Sequence, residues 1–109
     1  MTTAPVIALL TDFGIRDSYV GQMKAVLVTG APTSTFIDIT HEIEPFAIDE
    51  GAWLLETILP VLPPGTVVLA VVDPGVGSAR RALAVRLPRP TDRDPQDVIH
   101  LVGPDNGLL

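Results

Sequence analysis

The sequence predicts an α/β fold of three layers with a mostly parallel sheet, and three observations support this fold class. Apolar runs of strand length alternate with stretches of helical periodicity along most of the chain, which is the pattern of repeated βα units. The apolar runs are continuous rather than alternating, as in strands that are buried on both faces. The 109 residues, 47% of them hydrophobic, suffice for one domain with a sizeable core.

Five apolar or β-branched runs are predicted to be strands. They are residues 6–10, 35–39, 66–72, 82–87 and 98–102. The run at 66–72 has the strongest signal because four of its seven residues are valine, a residue that favours extended backbone. Proline and charged residues are dense at 88–97, which predicts a mobile loop that joins the last two strands as a hairpin.

The first predicted helix spans residues 18–29. Its apolar side chains share one face, and Asp17 or Ser18 can cap its first turn. Gly30, soon followed by proline, is a typical end signal. The residues predicted to face inward are Tyr19, Met23 and Val26.

The second predicted helix spans residues 49–62 and has acidic residues in its first turn, where the helix dipole favours them. Its inward face follows the helical period. The residues of that face are Ala52, Leu55, Leu59 and Leu62. The order of strands and helices is that of a Rossmann-like domain.

Charge and cysteine content exclude several classes of function. The net charge of −6 disfavours nucleic acid and anionic membrane surfaces as partners, because both are bound through clustered Lys and Arg. The absence of cysteine excludes disulfides, a thiolate nucleophile and cysteine metal ligands. No apolar run is long enough to span a bilayer without a Pro or Gly break, and no leader pattern opens the chain. A cytoplasmic enzyme for a small-molecule substrate is therefore expected.

Polar residues follow four of the predicted strands at their carboxyl ends, where open α/β sheets bind ligands. These segments are Thr-Asp-Phe-Gly (11–14), the Asp, Thr and His at 38, 40 and 41, Asp-Pro-Gly-Val-Gly (73–77) and Gly-Pro-Asp-Asn-Gly (103–107). Any one of them alone is better explained as an ordinary turn, whereas four such segments at the same edge favour a site. The glycines match neither a dinucleotide fingerprint nor a phosphate loop, so a nucleoside ligand, held at its ribose hydroxyls by Asp12, fits better than a pyrophosphate.

Asp73 and Arg80 form the sharpest candidate pair. A guanidinium keeps a nearby carboxylate ionised, and together the two groups could orient and activate a water. A structural salt bridge that pins the turn explains the same pair equally well. Arg81 competes for the role of Arg80 but is predicted to face solvent.

The histidines and aromatic residues support structural roles better than catalytic ones. We expect His41 to close the turn after the second strand and His100 to lie satisfied within the sheet. Two histidines without cysteine make a zinc site improbable, whereas a carboxylate site for magnesium stays open. Phe46 lies in a loop, where it could stack on a flat base, and Trp53 is predicted to be in the core.

Five blocks occur in a fixed order along the chain. They are Thr-Asp-Phe-Gly (11–14), Asp-Ser-Tyr-Val-Gly-Gln-Met-Lys (17–24), Asp-Ile-Thr-His-Glu-Ile (38–43), Val-Val-Asp-Pro-Gly-Val-Gly (71–77) and Gly-Pro-Asp-Asn-Gly-Leu-Leu (103–109). Together they resemble the S-adenosyl-L-methionine hydroxide adenosyltransferases, relatives of the fluorinating and chlorinating enzymes that use the same substrate. The resemblance covers nearly the whole chain.

The resemblance implies that activated water displaces methionine from the ribose 5′ carbon, which yields adenosine, with no added cofactor. The family activates water with an Asp, an Arg and a His; the first two match Asp73 and Arg80, and the His lies beyond residue 109. Asp12 matches the residue that grips the ribose hydroxyls, and Asp73 stands where the fluorinating relatives have tyrosine, which favours hydroxide over halide. The other positions that the resemblance assigns to substrate binding are Phe13, Phe46, Val76 and Asn106.

The resemblance also implies a C-terminal β-barrel domain, which is absent from these residues, and a homotrimer in the full-length form. Residues 1–109 are therefore expected to be an N-terminal α/β domain, a fragment of a longer two-domain protein, with weak or no activity alone. Three alternatives stay open. They are a halogenase of the chlorinating type, a metal-dependent nucleotide phosphatase and a non-catalytic nucleoside-binding fragment.

Overall fold

The computed structural model describes residues 4–45, 47–72, 81–90, 92–106 and 108–109. Within these residues the order of elements matches the predicted order. The elements are β1 (Ile7–Thr11), α1 (Tyr19–Gly30), β2 (Phe36–Thr40), α2 (Ile48–Ile58), a 3₁₀ helix (Leu59–Val61), β3 (Val67–Val71), β4 (Ala82–Pro88) and β5 (Val98–Pro104). No helix among the described residues is long and apolar enough to cross a membrane.

The five strands form one sheet in the order β2-β1-β3-β5-β4. The pairs β1–β2, β1–β3 and β3–β5 are parallel, and β4 pairs antiparallel with β5. This topology confirms the mostly parallel sheet and the final hairpin. Because β1, β2, β3 and β5 run in the same direction, their carboxyl ends lie along one edge of the sheet.

The core lies between α2 and one face of the sheet. Leu10 of β1 and Val72 pack directly against α2 at Gly51, where an added Cβ would stand 3.2 Å from Val72 Cγ2. A glycine at this position lets the helix backbone approach the sheet closely. The buried side chains of this cluster are Ala8, Leu10, Ile43, Leu55, Leu62, Val68, Ala70, Val72, Ile99, Leu101 and Leu108.

The inward face of the second helix is confirmed. Leu55 and Leu62 are buried, and Ala52 and Leu59 are partly buried against the core. The α-helix is shorter than predicted, however, because it ends at Ile58 and gives way to a 3₁₀ turn that contains Pro60. Proline has no N–H to donate and its ring collides with the carbonyl four residues earlier.

The first helix contradicts the predicted inward face at Tyr19 and Val26, whereas Met23 is half-buried. Its bounds agree with the prediction, and Asp17 Oδ1 accepts a hydrogen bond from Tyr19 N at 3.0 Å, but α1 contains no buried residue. Tyr19 is 60% exposed and Val26 is 72% exposed. The period of apolar residues marks a face that can be buried, but whether that face is covered depends on what packs there.

Burial on both faces holds for β1 and fails for β3. All five residues of β1 are buried, whereas in β3 the buried residues alternate with half-buried ones. Leu9 of β1 pairs with Asp38 of β2, and Asp38 bonds Lys24 of α1, so α1 lies on the face opposite α2. The helix reaches the β1–β2 side of that face and leaves Leu69 half-exposed.

Trp53 is not a core residue. Its side chain is 63% exposed, although it lies within the second helix as predicted. Its position falls between the buried residues Gly51 and Leu55, which turn toward the sheet and leave Trp53 on the solvent side. The prediction rested on residue type alone, and large aromatic residues are often buried only in part.

Candidate functional site

Three of the four predicted polar segments, those after β1, β2 and β5, lie at one edge of the sheet, and the fourth, residues 73–77, lies outside the described residues. Asp12 N lies 3.3 Å from Val71 O, which joins the end of β1 to the end of β3. Gly14 N donates to His41 O at 2.7 Å, which joins the β1 loop to the β2 loop. Gly14 has a φ of +73°, a conformation that glycine adopts without the strain other residues incur.

A cleft of about 230 Å³ opens at this edge between the loops that follow β1 and β2. The lining residues are Asp12, Phe13, Gly14, His41, Glu42, Ile43, Glu44 and Pro45. Three of them are carboxylic acids, and none of these described lining residues is Lys or Arg. The cleft therefore favours a neutral or cationic ligand over an anionic one.

Asp12 and Phe13 lie at the mouth of this cleft, where the sequence predicts substrate binding. Both are half-buried. The Phe13 ring meets the Tyr19 ring edge to face, with centroids 6.5 Å apart and an interplanar angle of 74°. This contact joins the loop to the start of α1.

His41 is buried beneath the cleft and is bonded at both ring nitrogens. Its Nδ1 lies 2.8 Å from Thr11 Oγ1, and its Nε2 lies 2.7 Å from Asp38 Oδ1. Lys24 donates to the other oxygen of Asp38 at 2.7 Å. The Lys24 ammonium, and then the His41 ring, hold the pKa of the Asp38 carboxyl below its usual value.

Asn106, a further predicted substrate-binding residue, connects main-chain segments in the structure. Its Nδ2 donates to Val72 O at 2.8 Å, and its Oδ1 accepts from Leu108 N at 3.1 Å. The side chain thus ties the loop after β5 to the end of β3. Substrate binding by Asn106 stays a prediction.

Four of the predicted site residues lie outside the described residues: Asp73, Arg80, Phe46 and Val76. Three of them fall within residues 73–80, which follow Val72 and precede Arg81 in the sequence. Arg81 is exposed, which agrees with the prediction that it faces solvent.

His100 lies half-buried in β5, as expected for a histidine within the sheet. Among the residues that the structure describes, no group of three or more His, Cys, Asp or Glu side chains is arranged to hold a metal ion.

Sequence reasoning did not find the part that Lys24 plays at this edge. Lys24 lies on the α1 face that meets β2, fourteen residues before Asp38 in the sequence. The i,i+3 spacing of Asp38 and His41 was the available signal for the rest of the network. That spacing indicates a local contact but contains no information about a lysine on another element.

Comparison with known proteins relates the chain to one family. A family model described as the SAM hydroxide adenosyltransferase N-terminal domain matches residues 7–109. The (R)-S-adenosyl-L-methionine hydrolase of Thermus thermophilus is 48% identical over 103 residues, which are 94% of this chain and 36% of that protein. A fluorinase of Nocardia brasiliensis is 34% identical over 83 residues, which are 76% of this chain and 28% of that protein.

Solved structures share the fold of this chain. The crystal structure of a conserved protein from Thermotoga maritima superposes with a TM-score of 0.80 at 42% identity, over 95% of this chain and 37% of that chain. The chain thus spans little more than a third of the length of the hydrolases and structures that it matches.

Proposed function

The chain belongs to the S-adenosyl-L-methionine hydroxide adenosyltransferase family, whose N-terminal domain it matches, and we propose that the whole protein hydrolyses S-adenosyl-L-methionine to adenosine and L-methionine. The observation that carries this proposal is the meeting of β1 and β3 at the ligand-binding edge. Asp12 follows β1, Asp73 follows Val72, and the two strand ends are joined by the bond from Asp12 N to Val71 O.

The chemistry requires a nucleophile in line with the bond that breaks. Hydroxide attacks the ribose 5′ carbon, a C–O bond forms, and the C–S bond breaks with its electron pair moving to sulfur. The sulfonium is a good leaving group because it departs as a neutral thioether. In this proposal Asp73 and Arg80 orient the water, the Asp73 carboxylate takes up its proton, and Asp12 accepts hydrogen bonds from the ribose hydroxyls.

The charge of the cleft supports this substrate over a phosphorylated nucleotide. The substrate sulfonium is a cation, and the described lining contributes the carboxylates of Asp12, Glu42 and Glu44. A nucleotide phosphatase would have to bring a phosphate dianion to the same carboxylates. The cleft is smaller than the about 300–1,000 Å³ that is usual for drug-sized ligands, so it fits one part of the substrate, such as the ribose.

The proposal is tested by chromatography of the nucleosides formed from S-adenosyl-L-methionine by the full-length protein, in a buffer with chloride. We expect adenosine, and we expect Asp73→Ala to lower kcat/KM by about 10²–10⁴-fold, the usual contribution of a positioned general base. Asp92→Ala, an exposed site on the β4–β5 loop, serves as the control and should leave the rate unchanged.

Each other product identifies an alternative. A 5′-chlorinated nucleoside would favour the halogenase, and phosphate released from nucleotides only with added magnesium or manganese would favour the phosphatase. If the protein forms no nucleoside above the uncatalysed background but still binds adenosine, the result would favour the non-catalytic nucleoside-binding protein. A homotrimer and a cytoplasmic location remain part of the proposal for the whole protein and are checked by light scattering and cell fractionation.

A further inference from the structure

The network around His41 has one consistent direction of hydrogen bonding. The Asp38 carboxylate can only accept, so His41 Nε2 donates to it across 2.7 Å. A neutral ring then accepts at Nδ1 from the Thr11 hydroxyl at 2.8 Å, and Thr11 Oγ1 accepts in turn from Phe13 N at 3.2 Å. The carboxylate at Nε2 fixes the N–H at that nitrogen, so the tautomer of a neutral ring has Nδ1 as its acceptor.

This network fixes the main chain on both sides of Asp12. Thr11, which precedes Asp12, is fully buried and is bonded by the His41 ring. Phe13 N is bonded by the Thr11 hydroxyl, and Gly14 N is bonded by His41 O at 2.7 Å. His41 therefore supports the loop in two ways: its ring acts through the Thr11 hydroxyl, which accepts from Phe13 N, and its main-chain carbonyl accepts from Gly14 N.

Asp38 and Lys24, which lie on the side of the network away from Thr11, hold the His41 ring in place. Asp38 is bonded by both His41 and Lys24, so the carboxylate is fixed between β2 and α1. A histidine whose second nitrogen donates to a fixed carboxylate is restricted to one tautomer and one orientation. Lys24 and Asp38 thereby determine which nitrogen of the imidazole is presented to Thr11.

We propose that His41 is a positioning residue for the ligand-binding loop 12–14, and that it acts through the Thr11 hydroxyl to set the direction of the Asp12 carboxylate. The part of this inference that concerns substrate rests on the proposed function, whereas the part that concerns the loop does not. His41 does not touch the reacting atoms in this inference. Its role differs from simple closure of a turn because it determines substrate affinity.

Two substitutions of His41 separate its two hydrogen bonds. The amide of His41→Asn stands near the place of Nδ1 and can keep the Thr11 contact, whereas the amide of His41→Gln stands near the place of Nε2 and can keep the Asp38 contact. We expect His41→Gln to raise the KM for S-adenosyl-L-methionine and the Kd for adenosine about tenfold, with kcat within about threefold. We expect His41→Asn to stay within about threefold in KM. A tenfold change corresponds to about 1.4 kcal/mol, which is the order of one buried hydrogen bond.

Thr11 and Thr66 offer a matched pair for the same question. Both are fully buried, and the Thr66 hydroxyl donates to Pro63 O at 2.7 Å at the opposite end of the sheet. We expect Thr11→Val to raise the KM about tenfold and Thr11→Ser to have the wild-type KM. Thr66→Val should lower the melting temperature about as much as Thr11→Val does, but should leave the KM unchanged. A purely structural His41 would lower the active fraction, and so the apparent kcat, without this division between KM and kcat.

Hydrogen exchange at the Phe13 and Gly14 amides tests the loop without any substrate. Faster exchange in His41→Gln and Thr11→Val, but not in Thr66→Val, supports the inference even if the protein releases no adenosine and the proposed function fails. Unchanged exchange and unchanged KM in folded His41→Gln and Thr11→Val overturn the inference even if the wild-type protein is a fast hydrolase.

Discussion

The two ends of the sheet bury similar polar groups but use them differently. At the carboxyl ends of the parallel strands, buried Thr11 and His41 hold a loop that lines a cleft of about 230 Å³. At the amino ends, Arg89 pairs with Asp97 at 3.0 Å and donates to the Leu62 carbonyl at 2.9 Å, beside a larger cleft of about 590 Å³.

The larger cleft is therefore not the stronger candidate for a site. The Arg89 guanidinium connects the β4–β5 loop to the 3₁₀ helix that follows α2 and to Leu62. Its partners are the carbonyl oxygens of Leu59 and Leu62 and the carboxylate of Asp97. The network at the other end leads to a loop whose side chains line the cleft. Position at the carboxyl ends of parallel strands, where loops diverge and helix N-termini point, predicts ligand binding better than volume.

The largest expected effect tests the site at the carboxyl ends of the parallel strands. Asp12→Ala removes a carboxylate proposed to accept two hydrogen bonds from the ribose, each worth about 1.5–3 kcal/mol when one partner is charged. We expect kcat/KM for adenosine formation to fall at least about hundredfold, measured by initial rates. Asp92→Ala should match the wild type, and an Asp12→Ala protein of wild-type rate would remove this loop from the site.

The second largest effect tests the Arg89 network at the amino ends of the parallel strands. Arg89→Met leaves Asp97 largely buried without its ion-pair partner, and removal of one partner from a buried pair typically destabilises by about 3–5 kcal/mol. We expect that loss in the free energy of unfolding by urea titration, with kcat/KM unchanged for the folded fraction at low temperature. The double variant with Asp97→Leu should recover part of the stability, because no unpaired charge remains.

A contrary result at Arg89 would be informative. If Arg89→Met lowered kcat/KM while its stability matched that of the wild type, the amino end would belong to the functional site and the distinction between the two ends would fail.

The smallest effect concerns the solvent end of the His41 network. The folded pKa of Asp38 is lowered from 3.8, first by the hydrogen bond from Lys24 and then by the one from His41. Its contribution is therefore fully present above the unfolded pKa and is lost as the pH falls through the still lower folded pKa. Because the Asp38 side chain is 47% exposed, the size is that of a screened surface pair, about 0.2–1 kcal/mol.

The measurement for Asp38 is the difference in unfolding free energy between the wild type and Asp38→Asn from pH 6 to about pH 2.5. We expect the difference to be constant above about pH 5 and to shrink below about pH 4. A difference that grew on acidification would contradict the lowered pKa. Asp92→Asn, on the exposed loop, serves as the control and should show no such trend.

Local patterns were sufficient to predict the elements and the edge where the site lies. The continuous apolar runs predicted strands within one or two residues of β1, β2, β3, β4 and β5, because side-chain period and residue type act over a few neighbouring positions. Asp12 and Phe13 were placed at the cleft for a related reason. Residues that follow parallel strands must emerge at the same edge, whatever the details of packing.

The burial of particular side chains was not predictable in this way. Val26 and Trp53 are exposed, at 72% and 63%, although residue type and periodicity favoured burial. Whether an apolar face is covered depends on segments far away in the sequence. The half-buried face of β3 and the exposed apolar residues of α1 follow from where the chain places its two helices.

Local periodicity and chain direction are sufficient to specify the α/β class, the order of the elements and the presence of a polar edge. The way in which that edge is built depends on long-range packing. The register of β1 against β2 shifts between Leu9 and Leu10, so that Leu10 pairs with Thr40, and the Thr11 hydroxyl meets His41 Nδ1. Lys24 then meets Asp38 because α1 lies over β2, and hydrogen bonds between residues so distant in sequence form only after the strands have paired and the helix has packed.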